Sequence, residues 1–121
     1  METINAVAAL AALAQENRLE IFRLLVQAGP EGMAAGQVAE QLGLAPNTLT
    51  FHFDRLRFAG LVTVRRDGRS MIYAARFSAM NELVAFLTEN CCQGAPEQCA
   101  PVAICKPKGV SHEAVSRARR R

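Results

Sequence analysis

Four cysteines, Cys91, Cys92, Cys99 and Cys105, fall within fifteen residues, and the rest of the 121-residue chain has none. In a reducing compartment such a cluster reads as a ligand set rather than a disulfide framework. Thiolates are soft donors that select thiophilic ions, and three of them suit a three-coordinate metalloid better than tetrahedral zinc. Adjacent Cys91 and Cys92 close a disulfide on each other only with strain. Both can turn toward one ion where the chain bends, and Gly94 and Pro96 allow the bend. Cys99 then completes a three-thiolate site. Cys105, in Val102-Ala103-Ile104-Cys105, reads either as a packed thiol or as a further ligand. A zinc or cadmium site made by all four is the rival reading, although the C-x2-C spacing of structural zinc sites is missing. Oxidation of exposed thiols is a third, and it needs no metal.

A second group of residues has different chemistry. With about 100° per residue over positions 46–59, Leu49, Phe53 and Leu56 share one helix face. The opposite face carries Asn47, Thr48, Phe51, Asp54 and Arg55, with Thr50 and His52 on its flanks. Asn and Arg offer bidentate contacts to base edges, Thr reaches bases or phosphates, and an apolar ring can meet a thymine methyl. Downstream, Arg65, Arg66 and Arg69 flank a turn, where they can reach phosphates or a minor groove.

The charge distribution agrees with this reading. The net charge of +3 averages over alternating blocks. Residues 1–45 hold two Arg against five acids, whereas residues 46–76 hold six Arg against two Asp. Residues 77–105 carry three Glu and no Lys or Arg. The final block, residues 106–121, holds Lys106, Lys108, Arg117, Arg119, Arg120 and Arg121 against one Glu. Local basic blocks of this kind are what phosphate contacts require.

The elements that must position these groups follow from periodicity and punctuation. Residues 4–14 are Ala-rich and apolar nearly all round, a pattern that must be buried and at a terminus implies another subunit; Thr3 is the expected N-cap. A second helix spans residues 16–28, with Leu19, Phe22, Leu25 and Val26 inward, and stops at Gly29-Pro30. A short third helix covers residues 35–42 and ends at Gly43. Pro46 suits the first turn of a fourth, which Gly60 ends. Two short helices joined by so tight a turn form a helix-turn-helix. Residues 61–66 and 71–75 read as strands joined through Asp67-Gly68, a strong hairpin signal. A last helix is expected over residues 78–90, with Leu83, Phe86 and Leu87 on one face. The fold class is therefore mainly α with a two-stranded β-hairpin, α-α-α-α-β-β-α, a dimeric winged helix-turn-helix.

The run from Ala45 through Pro46-Asn47-Thr48-Leu49-Thr50-Phe51-His52-Phe53 to Gly60-Leu61-Val62 closely resembles the recognition helix of the ArsR/SmtB family of metal-sensing repressors. The hairpin from Arg65 to Tyr73 and the helix start Asn17-Arg18-Leu19-Glu20-Ile21 resemble the same family, so the resemblance covers most of residues 10–90. It implies a homodimer joined through residues 3–14 and 78–90, with one recognition helix on each half of a twofold-related operator in double-stranded DNA. Asp54 departs from the pattern, since many members carry Lys there.

The resemblance does not transfer every sensing site. One arsenic-sensing type has a Cys-x-Cys pair at the third helix, and here residues 36–42 contain no cysteine. Zinc sensors of the family with ligands on the last helix use His and acidic residues there, and residues 78–90 contain no His. The adjacent Cys91-Cys92 pair with Cys99 is similar to another arsenic-sensing subgroup, which implies As(III) or Sb(III) as inducer, with zinc or cadmium as alternatives.

The expected organisation is a DNA-binding and dimerisation domain over residues 1–90, a cysteine-rich sensing segment over 91–105 and a basic, unstructured tail over 106–121. No apolar run reaches the roughly 18 residues of a membrane span. No basic stretch precedes the alanine-rich start, so a cytoplasmic location is expected. An enzyme is disfavoured: His112 is the only histidine beyond His52, and there is no phosphate loop, nucleophile elbow or metalloprotease motif.

Overall fold

The fold was obtained as a computed structural model, which describes residues 1–94. Local chemistry sets most helix ends. Helix α1 spans Thr3–Leu13 and α2 spans Glu16–Ala28. The Gln15 side-chain oxygen caps α2 by accepting from the Arg18 backbone N–H at 2.9 Å, satisfying one of the donors that a helix start leaves unpaired. Helix α3 spans Ala35–Leu42 and closes on Gly43 in the left-handed region, φ 66°. Pro46 opens α4, Pro46–Phe58, where its missing N–H costs nothing. These bounds agree with the expected second, third and fourth helices to within a residue. Thr3 is not a cap: it is already helical, and Glu2 precedes it without a side-chain cap bond.

The sheet differs from expectation by one strand. Strand β1, Met33–Ala34, joins β2, Val62–Asp67, and β3, Ser70–Ala75, in an antiparallel sheet of order β1-β3-β2. Two residues are too few to show alternation, and β1 exists because Met33 and Ala34 pair with Tyr73 and Ile72. Gly32 leads into it with φ 77°, and a Cβ there would run into the Tyr73 carbonyl oxygen. A left-handed backbone and that close approach both require glycine. In the hairpin Asp67 pairs with Ser70, so the two-residue turn is Gly68-Arg69, with Gly68 at φ 65°. Glycine at the first central position is one of the favoured hairpin geometries.

The core gathers Ile21 and Leu25 of α2, Val38 of α3, Phe53 and Leu56 of α4, and Leu61 just before β2. Of helix α1, Ala6, Ala9 and Ala12 are buried and Leu13 packs at the edge of the core, while Ile4, Val7 and Leu10 are exposed. Leu19, expected inside, is exposed, and Ile21 takes the inward position. Helix α5, Phe77–Leu87, packs against α1 and buries Leu83. It ends three residues before the expected boundary. The Thr88 hydroxyl donates to the Val84 carbonyl at 2.9 Å, a local bond that competes with helix continuation.

Residues Met1–Glu89 form one compact unit, and a second begins at Asn90. Of the second, the described part holds a short 3-10 turn, Cys91–Gly94, in which Cys92 and Gln93 adopt left-handed conformations. Among the described residues no helix is long and apolar enough to cross a membrane. The expected tail at 106–121, with Cys99 and Cys105, lies outside the described residues.

Candidate nucleic-acid interface

Helix α4 carries the candidate surface because its other face is locked into the protein. Leu49, Phe53 and Leu56 are buried. The Phe53 ring lies parallel to that of Tyr73 on β3, with centroids 3.6 Å apart. This stack ties α4 to the wing strands. Burial pushes the Tyr73 phenol upward in pKa, nearby Asp54 adds to the rise, and Arg57 opposes it.

Asn47, Thr48, Thr50, Phe51 and Arg55 are all exposed on α4. The Arg55 guanidinium lies 5.1 Å from the Phe51 ring centroid, a cation–π contact that holds both side chains over the outward face. Asp54 sits on the same helix and pairs with Arg57 at 3.3 Å. A pair this exposed contributes little stability, yet it offsets part of the Arg57 charge on a surface otherwise cationic. This gives Asp54 a local partner that the sequence did not suggest.

Two positions differ from the sequence reading. His52 was expected to flank the outward face, but it is 6% exposed and the only buried polar or charged residue among those described. Its ring Nδ1 lies 3.4 Å from Nη1 of Arg18 on α2. It is thus on the inner side of the helix with Phe53 rather than on the outward flank. Its pKa is held below the ordinary 6.5, first by desolvation and then by the Arg18 charge. Phe58, by contrast, was overlooked and is 81% exposed. It lies seven residues after Phe51, two helical turns along one face, and that spacing was the available signal. Arg57 covers its ring at 5.6 Å. Between α4 and α1 runs a groove of about 450 Å³, floored by Ala8, Ala11 and Ala12 and rimmed by Phe51, Arg55 and Phe58.

The wing presents Arg65, Arg66 and Arg69, all exposed. Arg66 donates from Nε to the Gly68 carbonyl at 3.3 Å, which orients it along the turn. With α4 the wing forms a surface combining small polar groups, two exposed rings and several guanidinium groups. Such a surface can read base edges from the helix and grip phosphates from the wing.

Of the expected thiol ligands, Cys91 and Cys92 are within the described residues and both are exposed. Among the described residues no three His, Cys, Asp or Glu side chains are grouped to hold a metal ion.

Comparison with known proteins gives a consistent picture. A helix-turn-helix domain family matches residues 13–65. The uncharacterized HTH-type transcriptional regulator YceK of Bacillus subtilis is 38% identical over 65 residues, 54% of this chain and 64% of that protein. Nodulation protein NolR of Rhizobium meliloti is 34% identical over 80 residues, 66% of this chain and 63% of its own length. The chain thus spans just under two thirds of either. The HTH-type transcriptional regulator YgaV of Escherichia coli is 31% identical over 88 residues, 73% of this chain and 87% of that protein. Among solved structures, an ArsR-like transcriptional regulator from Rhodococcus sp. RHA1 superposes with a TM-score of 0.65 at 24% identity, covering 78% of this chain and 87% of that one. The homodimeric winged helix-turn-helix DNA-binding domain Mb0332 from Mycobacterium bovis does so with a TM-score of 0.57 at 26% identity, covering 75% and 84%.

Proposed function

This chain belongs to the ArsR/SmtB-type winged-helix transcriptional regulators, a non-enzymatic DNA-binding family, and from that premise we propose a cytoplasmic homodimeric repressor that leaves its operator when Cys91, Cys92 and Cys99 bind As(III) or Sb(III). The observation that carries the DNA half is the outward face of α4. Asn47, Thr48 and Arg55 stand exposed there above a buried apolar face, so groups able to read bases are held on a rigid element.

Dimerisation is supported by the apolar stripe Ile4, Val7 and Leu10 on α1, with Val84 and Leu87 exposed on α5, and by the likeness to a homodimeric domain. A twofold dimer reads two half-sites with two copies of α4.

The inducer half is supported by sulfur chemistry. Two adjacent exposed thiols in a turned segment, with Cys99 next in sequence, offer soft donors. Cys105 would join them if the ion were zinc or cadmium. An inducer weakens operator binding only if it binds the DNA-free form better. Cys91 lies four residues past Leu87, the last residue of α5, so gathering the thiols acts on the end of a helix assigned to the subunit contact. That shifts the spacing of the two recognition helices. Exposed adjacent thiols also favour a second reading, release by oxidation rather than by an ion.

The test is release of the protein from a labelled duplex taken upstream of its own coding sequence, titrated separately with arsenite, antimonite, cadmium, zinc and hydrogen peroxide. Arsenite and antimonite are expected to act at the lowest concentrations. Cys91→Ser and Cys92→Ser should bind the duplex and ignore the metalloids; release retained in both variants refutes the site. Zinc or cadmium acting first would favour a four-thiolate site, and peroxide acting alone would favour oxidation.

A further inference from the structure

The buried His52 is not explained by base reading, although it sits in the middle of the helix that reads. Arg18 of α2 reaches two other helices at once. Its backbone N–H is capped by Gln15, its Nε donates to the Ala12 carbonyl near the end of α1 at 2.6 Å, and its Nη1 approaches His52 Nδ1 of α4 at 3.4 Å. A guanidinium has donors only and stays charged. The contact is therefore favourable only when Nδ1 is an unprotonated acceptor.

From this geometry we infer that Arg18 and His52 form a proton-sensitive tie that positions the recognition helix, so that protonation of His52 weakens operator binding. A proton on Nδ1 would set N–H against N–H and place two cations 3.4 Å apart in a site where His52 is 6% exposed. Among the described residues Arg18 is the one charged group that acts on the His52 ring; Glu16, Glu20 and Arg23 of α2, Glu40 of α3, and Arg65, Arg66 and Asp67 of β2 supply no compensating charge to it. Helix α1 has no ionisable side chain from Thr3 to Leu13 and presents the Ala12 carbonyl, which Arg18 already occupies. On α4 itself, Asp54 is paired with Arg57 and Arg55 lies over Phe51. The relief available is movement of α4 away from α1 and α2, which tilts the reading face.

Burial and Arg18 both hold the His52 pKa below 6.5, so the folded chain takes up this proton less readily than the unfolded chain. Stability from the tie is complete above that ordinary value and is lost as the pH falls through the lowered one. The direction separates this device from general electrostatics. Acidification raises the positive charge of a protein and ordinarily tightens its hold on phosphates.

The inference rests on the DNA-binding reading, and the experiment tells the two failures apart. Affinity for the upstream duplex is measured for the full chain between about pH 7.5 and about pH 5.5, the window around an ordinary histidine, with far-UV circular dichroism as a check on folding. The wild type is expected to lose affinity steadily as the pH falls while remaining folded. The His52→Gln variant, neutral at every pH, should give a flat profile. A His52→Gln profile parallel to the wild type, or wild-type affinity that holds or rises on acidification, overturns the proposal.

Should His52→Gln fail to fold, proton NMR of the wild type decides. The chain has two histidines, and His112→Gln identifies the His52 ring signal by difference. That signal must titrate at the midpoint of the affinity loss, and a ring that does not titrate overturns the tie. If no duplex is bound at any pH, the functional reading fails, while the NMR titration still judges the contact.

Discussion

Helices α1 and α4 use their two faces in opposite ways. Helix α1 turns alanines inward and leaves Ile4, Val7 and Leu10 outside, whereas α4 buries Leu49, Phe53 and Leu56 and leaves Asn47, Thr48 and Arg55 outside. Small inward residues let α1 approach closely but give it little buried area. The large apolar area it exposes is what a second protein surface would cover. Helix α4 takes its rigidity from its large buried residues, so its outward groups are free to be polar. The two outward faces therefore differ in kind, apolar on α1 and polar with a guanidinium on α4, while the inward residues decide how firmly each helix is held.

The contrast can be broken most severely from the inside. Phe53→Ala removes a ring that is 1% exposed and stacked on Tyr73; urea unfolding should show a loss of about 3–5 kcal/mol, and duplex binding should fall with it. Next in size is Val7→Asp on the exposed stripe. It should leave the protomer folded, while sedimentation shows the dimer weakened by about 2–5 kcal/mol through an unpaired carboxylate at the subunit contact. An unchanged dimer would detach α1 from the role given to it here.

Arg55→Ala tests the opposite face. Operator affinity should drop by about 1–3 kcal/mol, the worth of a base contact, with unfolding changed by no more than about 0.5 kcal/mol because the side chain is exposed. The smallest effect is expected at the wing. Arg69→Ala should weaken binding to all sequences alike and reduce the slope of log affinity against log salt by about one. A sequence-dependent loss there would move Arg69 from phosphate contact to base reading.

Much of the fold was legible because its signals are local. Gly29, Gly43 and Pro46 set helix ends within a turn of themselves, so α2 and α3 were placed without tertiary information. Strand β1 was not legible. Met33–Ala34 carries no periodic pattern and becomes a strand only because β3 lies beside it. Helix α5 is shorter than its apolar pattern suggests, since nothing in that pattern signals that Thr88 will bond back to Val84.

The candidate site divides along the same line. Helical spacing separated Asn47, Thr48 and Arg55 from Leu49, Phe53 and Leu56, because a period of 3.6 residues is a property of the chain alone. It could not assign His52, which lies at the border of the two faces. Its burial depends on Arg18, 34 residues earlier, arriving from α2. Phe58 is the opposite case: its seven-residue spacing from Phe51 already puts it on the outward face, and it is exposed. What was readable without tertiary information was the division of α4 into an apolar and a polar face and the clustering of the thiols, for side-chain chemistry and helical period are written locally. Which borderline residues join the core depends on the folded chain, because burial is set by what packs alongside, and those neighbours come from distant parts of the sequence, as Arg18 does for His52.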